Sequence, residues 1–209
     1  MKNLCEWKER FEDYLRTRTF DDASHDISHF RRVWKIADQL SSSDSDKLVI
    51  LASCYFHDIV SHPKDSPKRS QSSKEAAIKA KGILREMNFP FDRIDHVGHC
   101  IEAHSFSANI EPETLEAKVV QDADRMESLG AIGLARTFYV AGRMGSQLFS
   151  NEDPFAEKRG LDDKSFAIDH FKAKLLNLPR TMKTDAGKKE ATRRARILEN
   201  FLADLKAEL

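Results

Sequence analysis

Apolar residues recur at intervals of three and four along almost the whole chain, and this spacing places them on one face of an α-helix. Trp7, Phe11 and Leu15 form one such stripe near the N-terminus. The sequence shows no signal of a β-hairpin, an internal repeat or a linker between two domains. The pattern therefore predicts an all-α fold, with residues 1–209 forming a single-domain helical bundle.

One predicted helix differs from the others in that it is apolar almost all round. It covers residues 47–57 and is expected at the centre of the bundle. The predicted core spans about residues 22–178, and helices at 6–16 and 185–208 pack on it. Between them the pattern predicts helices at 22–40, 47–57, 74–87, 91–104, 111–126, 129–140 and 165–178, and loops at 61–73 and 142–163. Pro112 is expected in the first turn of its helix.

Composition limits the class of protein. Charged residues make up 33% of the 209 residues, and 34 basic side chains balance 34 acidic ones, so no nucleic-acid partner is expected. The three cysteines match no metal or redox motif and are typical of free thiols in a reducing compartment. The charged N-terminus does not resemble a signal peptide, and the longest apolar run, 48–56, is too short to span a bilayer. A soluble cytoplasmic protein with no membrane partner is expected.

Histidine and aspartate residues on three separate segments form the most informative pattern. His29 lies inside the second predicted helix, His57 and Asp58 end the third, and an acidic cluster follows at 119–126. Imidazole and carboxylate groups are ligands for Mn, Fe, Co, Ni or Zn, and carboxylate-rich sets also admit Mg. A chain of this length buries its core without a structural metal, so a bound ion would serve chemistry. A His-Asp pair alone is common by chance, and His29 alone can be a hydrogen-bonded core histidine, so the interpretation depends on all three segments.

These three segments resemble the motifs of the HD-domain superfamily of metal-dependent phosphohydrolases. The matching positions are 29–33, 57–58 and 122–126. A subfamily of small stand-alone bacterial HD hydrolases is similar to the chain at 24–33, 103–107, 114–125 and 170–176. The resemblance implies an HD-type helical bundle with one divalent metal ion. The implied ligands are His29, His57, Asp58 and one aspartate of the last cluster.

Two aspartates compete for the fourth ligand position. In the superfamily the ligand usually precedes a basic or polar residue and then an apolar one, which Asp124 does and Asp122 does not. Helix geometry favours only one of the two, because residues two apart point about 200° away from each other around the axis. The resemblance therefore favours Asp124 as the ligand. Asp122 is then expected to orient a ligand histidine or to position the attacking water.

Two further histidines are candidates for catalysis. His25 lies one helical turn before His29, where it can contact substrate or donate a proton, or can simply begin the helix. His104 ends a predicted helix, with Ser105 and Ser107 close behind. It can protonate a leaving oxygen or hold phosphate, although a histidine at a helix C-terminus is also favoured by the helix dipole.

Three basic residues are candidates for substrate binding. Arg32 lies one turn after His29, and Arg125 adjoins the proposed ligand Asp124. Each can bind phosphate or pair with a structural carboxylate. Lys174 lies one turn after a histidine on a late helix and can reach a phosphate, although most lysines at such positions are solvated.

The main hypothesis is a metal-dependent phosphohydrolase in which the ion activates a water for attack on phosphorus. The resemblance implies nucleotides as substrates, either mono- or triphosphates, with pyrophosphate as one conceivable product. One alternative is a phosphodiesterase of cyclic nucleotides, and another is a non-catalytic HD module that binds or senses a ligand. A homodimer is a further candidate assembly.

Overall fold

The computed structural model describes residues 3–17, 27–62 and 66–209. Within these ranges the ordered structure is helical, apart from one isolated bridge between Gln147 and Phe166, so the predicted all-α fold is confirmed. The α-helices are α1 (Leu4–Arg16), α2 (Ile27–Leu40), α3 (Lys47–Phe56), α4 (Ser72–Glu86), α5 (Phe91–His104), α6 (Leu115–Met126), α7 (Gly130–Met144), α8 (Ala167–Ala173) and α9 (Asp185–Glu208). None of the described helices is long and apolar enough to cross a membrane.

Two compact units divide the chain, Met1–Asp124 and Arg125–Leu209. In the first unit α3 is central, because α1, α2, α4 and α5 all pack against it. Residues 49–56 of α3 are all buried, as expected for a helix that is apolar on every side. Asp46 begins this helix, and its side chain accepts hydrogen bonds from the backbone N–H groups of Leu48 and Val49.

A partly buried polar network links three helices of the first unit. Glu12 of α1 accepts a hydrogen bond from the hydroxyl of Tyr55 on α3 at 2.7 Å. It also accepts one from Nε of Arg31 on α2 at 3.0 Å. Burial acts against the charge of Glu12, but the hydrogen bond from Arg31 is the largest influence and lowers the pKa of this carboxyl to about 2. The network fixes the positions of α2 and α3, the two helices that carry the predicted histidine ligands.

The second unit is built around α7, α8 and α9. The rings of Phe138, Phe171 and Phe201 lie 5.6–6.0 Å apart between these helices. The predicted irregular connection is observed and is fastened to the unit by an ion pair. Nη2 of Arg159 donates to the buried carboxylate of Asp169 at 2.8 Å, and Nη1 donates to its other oxygen.

Several predicted boundaries were wrong. α4 begins at Ser72, inside the loop predicted at 61–73. α6 begins at Leu115 rather than near Pro112, because the hydroxyl of Thr114 accepts a hydrogen bond from the Ala117 N–H and caps the helix there. The helix predicted at 165–178 ends with Ala173 and is followed by a 3-10 helix, Leu175–Thr181, that contains Pro179. The break lies at Lys174, whose φ of −134° and ψ of −59° are not helical, and Pro179 removes a backbone donor that an α-helix over the following turn would need. The predicted domain boundaries stay a prediction.

Candidate metal centre

His57 is presented by the end of the central helix. It is the residue after α3, where its backbone N–H still donates to the carbonyl of Ser53 at 2.9 Å. Its imidazole is fully buried, and Nδ1 lies 2.9 Å from the carbonyl oxygen of Cys54. A carbonyl can only accept, so Nδ1 carries a proton. In the neutral ring this leaves the lone pair on Nε2, the atom that faces the other candidate ligands.

His29 meets His57 from the neighbouring helix α2. The imidazole of His29 is also buried, and its Nε2 atom lies 3.2 Å from Nε2 of His57. Asp124 of α6 approaches the same place. Its Oδ1 atom lies 3.5 Å from Nε2 of His57 and 3.7 Å from Nε2 of His29. Two helices, α2 and α6, and the residue after α3 therefore contribute one potential ligand atom each to a single cluster.

Asp58 lies on the other side of His57. Its Oδ2 atom is 3.5 Å from Nε2 of His57, and its Oδ1 atom is 3.5 Å from Nε2 of His104. His104 is the last residue of α5 and is buried, and its Nδ1 donates to the carbonyl of Ile101 at 2.6 Å. The structure thus forms two overlapping groups that share His57: His29, His57 and Asp124 in the first, and His57, Asp58 and His104 in the second.

The charges of the cluster act strongly on its members. Burial by itself lowers the pKa of His57, but Asp58 and then Asp124 outweigh it and raise that pKa to about 9. Burial likewise acts to raise the pKa of Asp124, but His57, His104 and His29 together hold it well below its usual range. The carboxylates of Asp58 and of the partly exposed Asp124 therefore favour a positive charge beside the buried imidazoles, whether a proton or a metal ion.

The donor set fits a divalent metal ion. In each group the ligand atoms lie within 4.8 Å of one another. Ions of this kind bind nitrogen and oxygen at about 2.0–2.2 Å, so neighbouring ligands on one ion lie roughly 3 Å apart. The separations of 3.2–3.7 Å require only small side-chain movements to meet that condition.

The two aspartates of the acidic cluster occupy different surroundings. Asp124 belongs to the first group, whereas Asp122 is fully buried and belongs to neither. Gln121, which the sequence did not single out, lies beside them. Its Nε2 donates to the carbonyl of Ala103 at 2.6 Å and so fastens α6 to the last turn of α5. The sequence signal that could have identified Gln121 is a polar side chain close to the apolar residues Val120 and Ala123, which are both buried.

The remaining predicted site residues are spread more widely. His25 lies outside the described residues. Arg32 is half-buried on α2, in the same unit as the cluster. Arg125 donates from Nη1 to the carbonyl of Thr181 at 3.0 Å, in agreement with a structural role for at least part of its guanidinium. Lys174 is exposed in the second unit, just after α8. The substrate contacts expected of these residues stay predictions.

Comparison with known proteins adds a family similarity. A model of the HD domain matches residues 26–129. The protein YpgQ of Bacillus subtilis (strain 168) is 28% identical over 216 residues, which cover 100% of this chain and 96% of YpgQ. The similarity therefore extends well beyond the three motifs.

Solved structures show the same relationship. The crystal structure of an HD-superfamily hydrolase from Bacillus thuringiensis is 30% identical, with a TM-score of 0.74, and the match covers 98% of this chain and 97% of that one. The crystal structure of Bacillus subtilis YpgQ in complex with ADP is 25% identical, also with a TM-score of 0.74, over 98% of this chain and 96% of that one. Both relatives are matched along nearly their whole length.

Proposed function

The chain belongs to the HD-domain superfamily, and from this premise we propose that it is a metal-dependent phosphohydrolase of nucleotides or related small phosphate esters. Membership confirms the predicted HD-type helical bundle and supports a metal-dependent phosphohydrolase in general. The choice of nucleotides as substrates is the more specific part of the proposal. They are supported by the resemblance of the motifs and by the relative YpgQ, whose structure was solved in complex with ADP.

The convergence of His29, His57 and Asp124 on one point is the observation that carries the proposal. Two buried imidazole Nε2 atoms 3.2 Å apart and a carboxylate oxygen within 3.7 Å of both form a cation site. Asp58, next to His57, is the proposed fourth ligand. A divalent ion held there supplies acidity to a bound water and neutralises charge on phosphoryl oxygen.

A backbone carbonyl and several side chains have proposed roles in metal binding and catalysis at this site. The carbonyl of Cys54 holds the proton of His57 on Nδ1, so that Nε2 is available as a ligand. Asp122, His25 and His104 are the proposed catalytic residues for positioning water or protonating the leaving oxygen. Among them, His104 lies 3.5 Å from Asp58. Arg32, Arg125 and Lys174 are the proposed contacts to phosphate.

The test is release of inorganic phosphate or pyrophosphate from a panel of nucleoside mono-, di- and triphosphates, with Mn²⁺, Mg²⁺, Co²⁺, Ni²⁺ and Zn²⁺ supplied in turn. We expect hydrolysis with at least one metal, and its loss in Asp58→Ala. Asp92→Ala changes an exposed aspartate on α5 and is the matched control, expected to behave as the wild type.

Cyclic nucleotides added to this panel, with the linear nucleoside monophosphate as the measured product, separate the rival functions. Hydrolysis of cyclic nucleotides alone would identify a phosphodiesterase. Binding of a nucleotide with neither bound metal nor hydrolysis would identify a sensing module. Either outcome would reject the proposed activity, and full activity in Asp58→Ala would reject the proposed site.

A further inference from the structure

Arg69 fastens the segment that leaves the end of α3. Its Nη1 atom donates to the hydroxyl of Ser61 at 2.9 Å and to the backbone carbonyl of His62 at 2.7 Å. The N–H of His62 in turn donates to the hydroxyl of Ser72, the first residue of α4, at 3.1 Å. The guanidinium and the beginning of α4 therefore lie together beside the backbone of His62.

These contacts use only one arm of the Arg69 guanidinium. In the part of the chain that the structure describes, its Nε and Nη2 atoms donate no hydrogen bond and it forms no ion pair. The carboxylate of Glu75 contacts Nε2 of His62 at 3.0 Å instead. Three other half-buried arginines each pair with a carboxylate, namely Arg93, Arg159 and Arg194. Arg69, which is also half-buried, differs from them in that its charge and two of its donor atoms stay available to a ligand.

The available edge of this guanidinium has the chemistry of a phosphate site. The group is always protonated, and two adjacent N–H donors in one plane match two oxygens of a phosphate. The N-terminus of α4 adds positive potential, since this 15-residue helix has no side-chain cap. The first turn of α4 also contains a buried hydroxyl, that of Ser73, which has no hydrogen-bond partner among the described residues. An anion is the ligand that these groups favour.

The position of Arg69 relates this anion site to the candidate metal centre. Ser61, which accepts from Arg69, follows Asp58 by three residues, so their Cα atoms are at most about 11 Å apart. We infer that Nε and Nη2 of Arg69 bind a phosphate group, and that the contacts to Ser61 and His62 hold the guanidinium in place for it. The inference rests on the proposed function in one respect, because the phosphate is then one of the substrate's. The sequence pattern did not single out Arg69.

A guanidinium that binds phosphate acts mainly on affinity. It keeps its protons at neutral pH, so Arg69 is assigned no proton transfer. Its loss should therefore raise the dissociation constant of phosphate and the KM of the substrate, and should change kcat less. A residue that only fastened the segment after α3 would behave differently. Its loss would disturb Asp58 and weaken the binding of the metal ion.

The experiment measures the dissociation constants of Mn²⁺ and of inorganic phosphate for the full chain by isothermal titration calorimetry. We expect Arg69→Gln to weaken phosphate binding about 10- to 100-fold, the value of a hydrogen-bonded charge, and to change that of Mn²⁺ less than about threefold. Arg69→Lys keeps the charge but not the paired donors, so its phosphate affinity should fall between the two. For any nucleotide that the chain hydrolyses, the KM of Arg69→Gln should rise more than its kcat falls. Circular dichroism checks that the variants are folded.

Arg85→Gln is the matched control. Arg85 is exposed in the last turn of α4, roughly 20 Å along the helix from Ser72, and its variant should bind phosphate as the wild type does. Equal phosphate affinity in Arg69→Gln and the wild type, or no phosphate binding by the wild type, would overturn the inference. So would a loss of Mn²⁺ together with phosphate in Arg69→Gln. The proposed function is tested separately, because hydrolysis of nucleotides by the wild type does not depend on any of these three results. Phosphate bound through Arg69 by a chain that hydrolyses nothing would reject that function and support the anion site.

Discussion

The Nε2 atoms of His29 and His57 lie 3.2 Å apart, although the two residues are 28 positions apart in the chain. Two imidazoles that point their ring nitrogens at one another in a buried place are stabilised when a cation lies between them and Asp124. The geometry results from the packing of α2 on α3, which the network of Glu12, Arg31 and Tyr55 also holds.

Metal binding is expected to stabilise the fold. An ion that binds only the native chain at one hundred times its dissociation constant adds about 2.7 kcal/mol, or roughly 5–10 °C in Tm for a chain of this length. Differential scanning fluorimetry with Mn²⁺ should show this increase, and EDTA should reverse it. His29→Ala should show no increase. An equal shift in that variant would mean that the ion binds elsewhere.

The two aspartates of α6 should differ in their effect on the metal. Asp124→Asn removes a carboxylate that faces both His29 and His57, so the affinity for Mn²⁺ should fall more than about 100-fold. Asp122→Asn, in a buried position outside both ligand groups, should lower it about tenfold or less. Isothermal titration calorimetry measures both constants. The reverse order would assign the ligand to Asp122.

Stability should fall in acid through Glu12. Its pKa is lowered from 4.5 to about 2 in the folded chain, chiefly by the hydrogen bond from Arg31. A lowered carboxyl pKa stabilises the fold above the unfolded pKa, and this contribution is lost as the pH falls from about 4.5 to about 2. Converted in full, this pKa difference is worth about 3 kcal/mol, and solvent screening at the exposed Arg31 reduces the contribution to about 2 kcal/mol. Urea unfolding across this range should show the loss.

The matched pair for that measurement is Glu12→Gln and Glu9→Gln. Both positions are on α1, but Glu9 is exposed and Glu12 is buried. Glu12→Gln should be less stable at neutral pH and should depend less on pH in acid, whereas Glu9→Gln should follow the wild type. Parallel profiles for the wild type and Glu12→Gln would show that another group is responsible.

Gln121 should contribute to stability more than its lack of charge suggests. Gln121→Leu removes the hydrogen bond to Ala103 and leaves a carbonyl in the last turn of α5 without its partner, which costs about 1–3 kcal/mol. Chemical denaturation measures the change. Gln147→Leu, at an exposed position, should change stability by less than about 0.5 kcal/mol. If the two substitutions cost the same, the contact between α5 and α6 is not important for stability.

The sequence by itself determined the helical class, the positions of most helices and the residue types of the site. Hydrophobic periodicity is a local property, so the boundaries of α5 and α9 agree with their predictions. The predictions failed where local signals compete, as at Thr114, which caps α6 in place of a start near Pro112, and at Lys174, where the helix breaks.

Only the tertiary structure decided which side chains meet. Asp122 and Asp124 are both aspartates and lie only two positions apart in the chain. The orientation of α6 brings Asp124 close to His57, whereas Asp122 is buried outside the ligand groups. His104 became a neighbour of Asp58 because α5 packs on α3, and Gln121 gained its role from the contact between α6 and the end of α5. These contacts between side chains depend on how helices that are far apart in the chain pack together, and no local sequence pattern encodes that packing.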